Sequence, residues 1–232
     1  MRRRYLNSGK ERIDLSKPYF AIEALEDGVK VKFNNIYEYC IDDGVWVKGE
    51  PFAKNTLKEG QMLYFRATIR LAADYTGIGR FTMSGKCNLS GNIMSLLFGD
   101  NFEDKTDLTG YDYVFCRLFE FCEGIVDASE LQLPATTLAP GCYLSMFSYC
   151  YSMKKAPTLP AAILVYNCYA QMFYNSKLNY IKMLATDISA RYCLDSWVHA
   201  VSSSGTFVKN ANMNDLPTGT SGIPEGWTVE NA

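Results

Sequence analysis

His199 is the sole histidine in 232 residues. A metal site built on two or more histidines is therefore excluded, and a Ser–His–Asp arrangement has one residue on which to be built. Long apolar runs are missing as well. No stretch approaches the roughly 18 consecutive apolar residues of a membrane span, and patches such as Ala161-Ala162-Ile163-Leu164-Val165 are far shorter, so no membrane insertion is expected. Excess charge of either sign is also lacking: 23 Lys and Arg stand against 25 Asp and Glu. A surface whose main work is neutralising phosphates carries more positive charge than that, so nucleic acid is not an expected partner. The opening Met1-Arg2-Arg3-Arg4 has the charge of an export signal but not its apolar core, since Glu11, Arg12 and Asp14 follow. Synthesis without export is expected from this, and with it reduced thiols.

What is present describes a globular chain. Hydrophobic residues make up 48% and charged residues 21%, ordinary values, and the length suits one large domain or two small ones. Eight cysteines are too few for a disulfide scaffold and behave as small hydrophobes. The aromatic content is 14%, with 16 tyrosines, and this is the least ordinary number.

Residues 1–17 are polar and charged without periodicity and read as a basic arm, with Arg2, Arg3 and Arg4 as candidate anchors to a partner surface. From Tyr19 the texture is β. Tyr19–Leu25 is a strand candidate, Val29–Phe33 alternates apolar and charged residues, and Asp42-Asp43-Gly44 between Ile36–Ile41 and Val45–Val47 is a hairpin signal. Met62–Arg66 and Arg80–Met83 add further strands. Short strands separated by turns predict a small Ig-like β-sandwich over 18–86.

The second half repeats. Leu133-Pro134-Ala135 returns 26 residues later as Leu159-Pro160-Ala161, Cys142-Tyr143 as Cys168-Tyr169, and Met146-Phe147 as Met172-Phe173. Cys193 and Trp197 continue the series 25 residues on, and Leu118-Phe119 and Cys122 precede it by 28. Inside one unit, Cys142, Met146 and Cys150 fall at i, i+4 and i+8, with Tyr143 and Phe147 beside them. That stripe predicts a short helix with one apolar face, which must be buried by stacking units. A unit of this length with recurrent Leu, Phe and Cys predicts a leucine-rich-repeat solenoid over 87–209, closed by a C-terminal cap over 210–232. The expected fold class is thus α+β or mainly β, a sandwich followed by a solenoid.

Phe147-x-x-Cys150-x-Ser152-Met153 followed by Leu159-Pro160 resembles the repeat of BspA-type leucine-rich proteins of gut Bacteroidales and their phages. Phe119-x-x-Cys122-x-x-Ile125 is similar, and Phe173-x-x-Ser176-x-Leu178 matches with Ser in place of Cys. The segments Gly205–Lys209 and Gly222–Val229 resemble closing segments of such repeat proteins. The resemblance implies a structural or adhesive role. Joined to the lack of an export signal, it implies a virion protein made in the host cytoplasm; a bacterial cell-surface adhesin is the alternative.

Catalytic and metal-binding patterns are weak. The cysteine spacings lack the close pairs of structural zinc. Gly79–Cys87 has one residue too many for a phosphate loop and no hydroxyl after Lys86. His199 has Ser202, Ser203 and Ser204 nearby, but no motif places a carboxylate beside it. No catalytic residue, metal or cofactor is assigned. The tyrosines are the remaining candidates: Tyr143 and Tyr169 lie on the apolar stripe, whereas Tyr149, Tyr151, Tyr166 and Tyr174 fall off it and form a candidate ligand-binding row. The expected function is that of a non-enzymatic structural and binding protein, a phage head decoration, fibre or tail-associated adhesion component. Its expected partners are virion subunits or a host-surface protein or glycan, with self-association left open. A carbohydrate-active enzyme using the sandwich for substrate is the rival class.

Overall fold

The computed structural model describes residues 11–35, 37–49, 56–68 and 77–232, so Arg2, Arg3 and Arg4 lie outside the described residues. The β-texture of the first half produces strands where alternation and turn residues call for them: β1 (Phe20–Ala24), β2 (Lys30–Phe33), β3 (Glu38–Ile41), β4 (Val47–Lys48), β5 (Met62–Arg66), β6 (Phe81–Ser84) and β7 (Cys87–Asn92). In β2, Lys30 and Lys32 face solvent while Val31 and Phe33 are buried, as a period of two requires. The Asp42-Asp43-Gly44 turn joins β3 to β4, with Tyr39 opposite Val47.

These strands do not close an Ig-like sandwich. The larger sheet has the order β4-β3-β5-β1-β7-β8, in which β8 (Ile125–Gln132) comes from the repeats and runs parallel to β7. The smaller sheet is β2 paired with β6. Between the layers sit Phe20 and Phe65 on one side and Phe33 and Phe81 on the other, with Phe20 and Phe81 rings 5.4 Å apart. The segment before β1 is held on the body by Ile13 N–H donating to Gly44 O and Trp46 N–H donating to Glu11 O.

The leucine-rich-repeat solenoid expected for 87–209 is not seen. Among the described residues the one α-helix is Ser95–Phe98, outside the repeated units, and a 3-10 turn (Gly99–Asn101) follows it. The segments expected as helices are turn ribbons over 113–121, 141–149, 167–175 and 192–200. Every fourth residue in them is left-handed: Tyr113, Arg117 and Phe121; Gly141, Ser145 and Tyr149; Asn167, Gln171 and Asn175; Tyr192, Ser196 and Ala200. Backbone donors alternate. Cys116, Leu118 and Glu120 donate three residues back, to Tyr113, Phe115 and Arg117, while Phe115, Arg117 and Phe119 donate across to Cys142, Leu144 and Met146 of the next ribbon. A helix would keep all these bonds within its own segment, four residues apart. Half of them here are spent between ribbons. A ribbon of period four and a helix of period 3.6 put nearly the same residues on one face over nine positions, which is why Cys142, Met146 and Cys150 read as helical and are nonetheless buried together.

The repeat offset sets the register of the ribbons. Tyr143, Ser145, Phe147 and Tyr149 donate to Cys168, Ala170, Met172 and Tyr174; Tyr169, Gln171, Phe173 and Asn175 donate to Cys193, Asp195, Trp197 and His199. Between ribbons the chain makes parallel bridges, Asp127 to Lys155 and Lys155 to Tyr180. These lead into a three-stranded parallel sheet of β9 (Tyr180–Met183), β10 (Thr206–Lys209) and β11 (Thr228–Asn231). Residues 217–223 lie along the last ribbon, where Trp197 Nε1–H donates to Gly222 O and Val198 N–H to Thr220 O.

The register stacks like upon like. Phe33, Phe81, Phe119, Phe147, Phe173 and Trp197 form one ring column, with successive centroids 4.3, 5.3, 5.3, 5.8 and 6.0 Å apart. Phe115, Tyr143 and Tyr169 form a second. Cysteines occupy two more positions, Cys142–Cys168–Cys193 and Cys122–Cys150, and Ser176 continues the latter. Gly141 shows the tolerance of this packing: a Cβ there would stand 2.2 Å from the Tyr113 ring.

Two outcomes test this fold. Phe147 is fully buried between two rings, so Phe147→Ala is expected to cost about 3–5 kcal/mol in chemical denaturation, whereas a loss under about 1 kcal/mol would remove Phe147 from the core. Ala200 is exposed at a φ of 57°. In a helix Ala200→Gly would destabilise by about 1 kcal/mol, but a left-handed alanine is strained and glycine is not, so here the variant should be more stable by about 0.5–1 kcal/mol. The sign of the change in Tm decides between the two geometries.

Candidate functional site

The ribbons end in an aromatic column on the surface. Phe121 stacks on Tyr149 at 4.6 Å and 14°, Tyr149 meets Tyr174 at 5.6 Å, and Tyr174 stacks on His199 at 4.6 Å and 9°. Tyr151 stands edge-on to Tyr149 at 6.1 Å. Phe121 is 53% exposed and Tyr151 43%, while Tyr149 and Tyr174 are half-buried between their neighbours. Of the four tyrosines expected in a binding row, the structure brings Tyr149, Tyr151 and Tyr174 together. Tyr166 precedes the third ribbon, at the opposite end from Tyr174, and pairs with Tyr192, over whose ring the Arg191 guanidinium lies at 4.4 Å. Phe121 and His199 were missed by sequence reasoning, although their spacings of 28 and 25 residues from Tyr149 and Tyr174 repeat the offset of the buried positions.

The geometry decides what such a row can present. Tyr149 has Phe121 on one side and Tyr174 on the other, so it shows an edge and a hydroxyl rather than an open face. A pyranose ring binds aromatics by lying on a bare face; edges and hydroxyls suit a protein surface, where tyrosine contributes contact area at low entropic cost.

The other candidates are occupied by structural duties. The His199 imidazole is stacked on Tyr174, with Nδ1 buried and unpartnered, and the Ser202 hydroxyl donates to Lys177 O at 2.9 Å rather than to His199. All eight cysteines are free and buried, and burial pushes the thiols of Cys87 and Cys168 up to about 12 and those of Cys142 and Cys150 well above the ordinary value. Such thiols are protonated and inert near neutrality. Among the described residues no three His, Cys, Asp or Glu side chains gather in a way that could hold a metal ion. A cleft lined by Asn34, Asn35, Arg80 and Arg117 is polar, but Asn34 Oδ1 accepts from Arg80 N–H, Asn35 Nδ2 donates to Ile78 O, and Arg80 pairs with Glu120.

Charge concentrates at Arg66. Its guanidinium lies 4.4 Å over Trp46 and donates to Glu11, Glu38 and Asp100 at 2.8, 2.7 and 2.7 Å. The three acids come from the segment before β1, from β3 and from the 3-10 turn, so the cluster staples distant segments to β5. Burial disfavours the Arg66 charge, yet the three carboxylates outweigh it and push its pKa up. Burial likewise opposes ionisation of Asp100, but a hydrogen bond from Tyr19 and the Arg66 charge prevail and hold its carboxyl below 3.8.

Comparison with known proteins returns no match to a family model, to a curated protein or to a solved structure. Any function must therefore be read from the local geometry of the surface row and the charged staple.

The staple has a pH signature. A depressed folded-state pKa stabilises above the ordinary carboxylate range, and that stabilisation is lost as pH falls through the folded value. Asp100→Asn should therefore lower Tm at neutral pH and matter progressively less below pH 3.8. A Tm difference unchanged from neutral to strongly acidic buffer would show that Asp100 is not held as a carboxylate.

Proposed function

We propose that this protein is a non-enzymatic structural and binding component whose exposed aromatic row, Phe121, Tyr149, Tyr151, Tyr174 and His199, makes a protein–protein contact. The observation that carries the reading is the stacked pair Phe121–Tyr149 beside an exposed Tyr151. Large rings gathered at the surface by a rigid backbone register are pre-ordered for contact, so little side-chain freedom remains to be lost on binding. The side chain that most resembles a catalytic group supports the same view, since His199 is stacked in the row. The repeat pattern that resembles BspA-type proteins of gut Bacteroidales and their phages supports an adhesive or virion setting for this contact, with virion subunits or a host-surface protein as partner.

Mass spectrometry of purified phage particles tests the setting, and incorporation of a Phe121→Ser/Tyr151→Ser variant tests the row. Both side chains are exposed, so the variant should melt as the parent does while incorporation falls by about tenfold or more, as for central aromatic contacts. Detection of the chain on the bacterial surface and not in particles would favour an adhesin. Equal incorporation of parent and variant would remove the row from the contact.

A further inference from the structure

Three ribbon ends are each followed, two residues on, by an exposed position. Counting two residues on from Phe121, Tyr149 and Asn175, which end their ribbons, gives Glu123, Tyr151 and Lys177. All three are exposed, and neither Glu123 nor Lys177 makes an ion pair among the described residues. The order is therefore acid, tyrosine, base, on three consecutive units. The steps between those units are nearly equal, 4.6 Å from Phe121 to Tyr149 and 5.6 Å from Tyr149 to Tyr174.

A two-fold axis through the middle of such a series has a definite consequence. It maps the unit before Tyr151 onto the unit after it, which brings Glu123 of one copy opposite Lys177 of the other, and the reverse. The same operation lays Tyr151 against its own copy and Phe121 opposite Tyr174. An isologous interface must be self-complementary in this way, with each contact occurring twice. Aromatic groups at the centre and opposite charges at the rim are the usual anatomy of a specific contact.

We propose that the partner of the aromatic row is a second copy of this chain, docked antiparallel about Tyr151 with two Glu123–Lys177 pairs at its edges. This rests on the row being a protein contact, and it names the occupant. The dimer leaves the Tyr166–Tyr192–Arg191 cluster, at the far end of the ribbons, free for a different partner.

Sedimentation equilibrium of the full chain over a range of loading concentrations reads the association directly. A monomer–dimer equilibrium is expected. Glu123→Lys and Lys177→Glu should each weaken it by about tenfold or more, since each puts like charges together at both edges. The double variant Glu123→Lys/Lys177→Glu recreates both pairs with signs exchanged and should restore the dimer to within about threefold. Thermal melts of the same variants confirm that these exposed positions leave the fold intact. A dimer in which the double variant is as weak as the singles would overturn the proposed pairing. A chain monomeric at every concentration, whose Phe121→Ser/Tyr151→Ser variant still loses particle incorporation, would overturn the second copy and keep the row as a contact for something else. A dimer indifferent to Tyr151→Ser would overturn the pairing and remove its basis in the row.

Discussion

The ring column from Phe33 through Phe81, Phe119, Phe147 and Phe173 to Trp197 constrains most of what the chain can do. Within the column each ring packs on its neighbours, so it can join only if its backbone segment lies one hydrogen-bonded step away. That requirement ties the smaller sheet, which supplies Phe33 and Phe81, to the four ribbons. It also explains why β8 runs beside β7: the sheet and the column advance in the same direction. Stacked aromatic pairs contribute about 0.5–1.5 kcal/mol each beyond their buried area, and the column repeats that gain along the molecule.

The same stacking supports an unusual backbone. Left-handed residues cost about 1–2 kcal/mol each when they are not glycine, and the ribbons place Arg117, Phe121, Gln171 and Tyr192 there. What offsets the strain is the alternation of hydrogen bonds, half turning back within a ribbon and half crossing to its neighbour. No ribbon could satisfy its donors alone, because those that cross have no partner without the next segment. Local geometry and long-range packing therefore stand or fall together. Arg66 acts in a comparable way at the other end of the chain, holding three acids from distant segments on one guanidinium.

The proposed contact follows from where the register comes to the surface. The stacking that buries Phe119, Phe147 and Phe173 also brings out Phe121, Tyr149 and Tyr174, one or two residues further along each ribbon. Inside, the rings fill a core; outside, Phe121 and the edges of Tyr149 and Tyr174 meet solvent, bordered by Glu123 and Lys177. The proposed contact surface and the core column are thus two faces of one periodicity.

The strands were legible because period-two alternation and turn residues act locally: Lys30–Phe33 and the Asp42-Asp43-Gly44 turn appear where the sequence put them. The repeat, the burial of Cys142, Tyr143, Phe147 and Cys168, and three of the four row tyrosines were legible too, because identical residues at a fixed offset must occupy equivalent sites. The helices and the leucine-rich-repeat solenoid were misread, since nine residues cannot separate a period of four from one of 3.6, and apart from Gly141 the left-handed positions carry residues such as Tyr, Arg, Phe and Ser where glycine would have marked them. Tyr166 was placed in the row because it falls off the apolar stripe, yet a residue eight positions from Tyr174 sits at the other end of a ribbon. The sequence by itself determined which side chains recur and which of them are apolar. Only the tertiary structure decided how the backbone carries them, because donors that cross between ribbons have no partner until the neighbouring segment is in place.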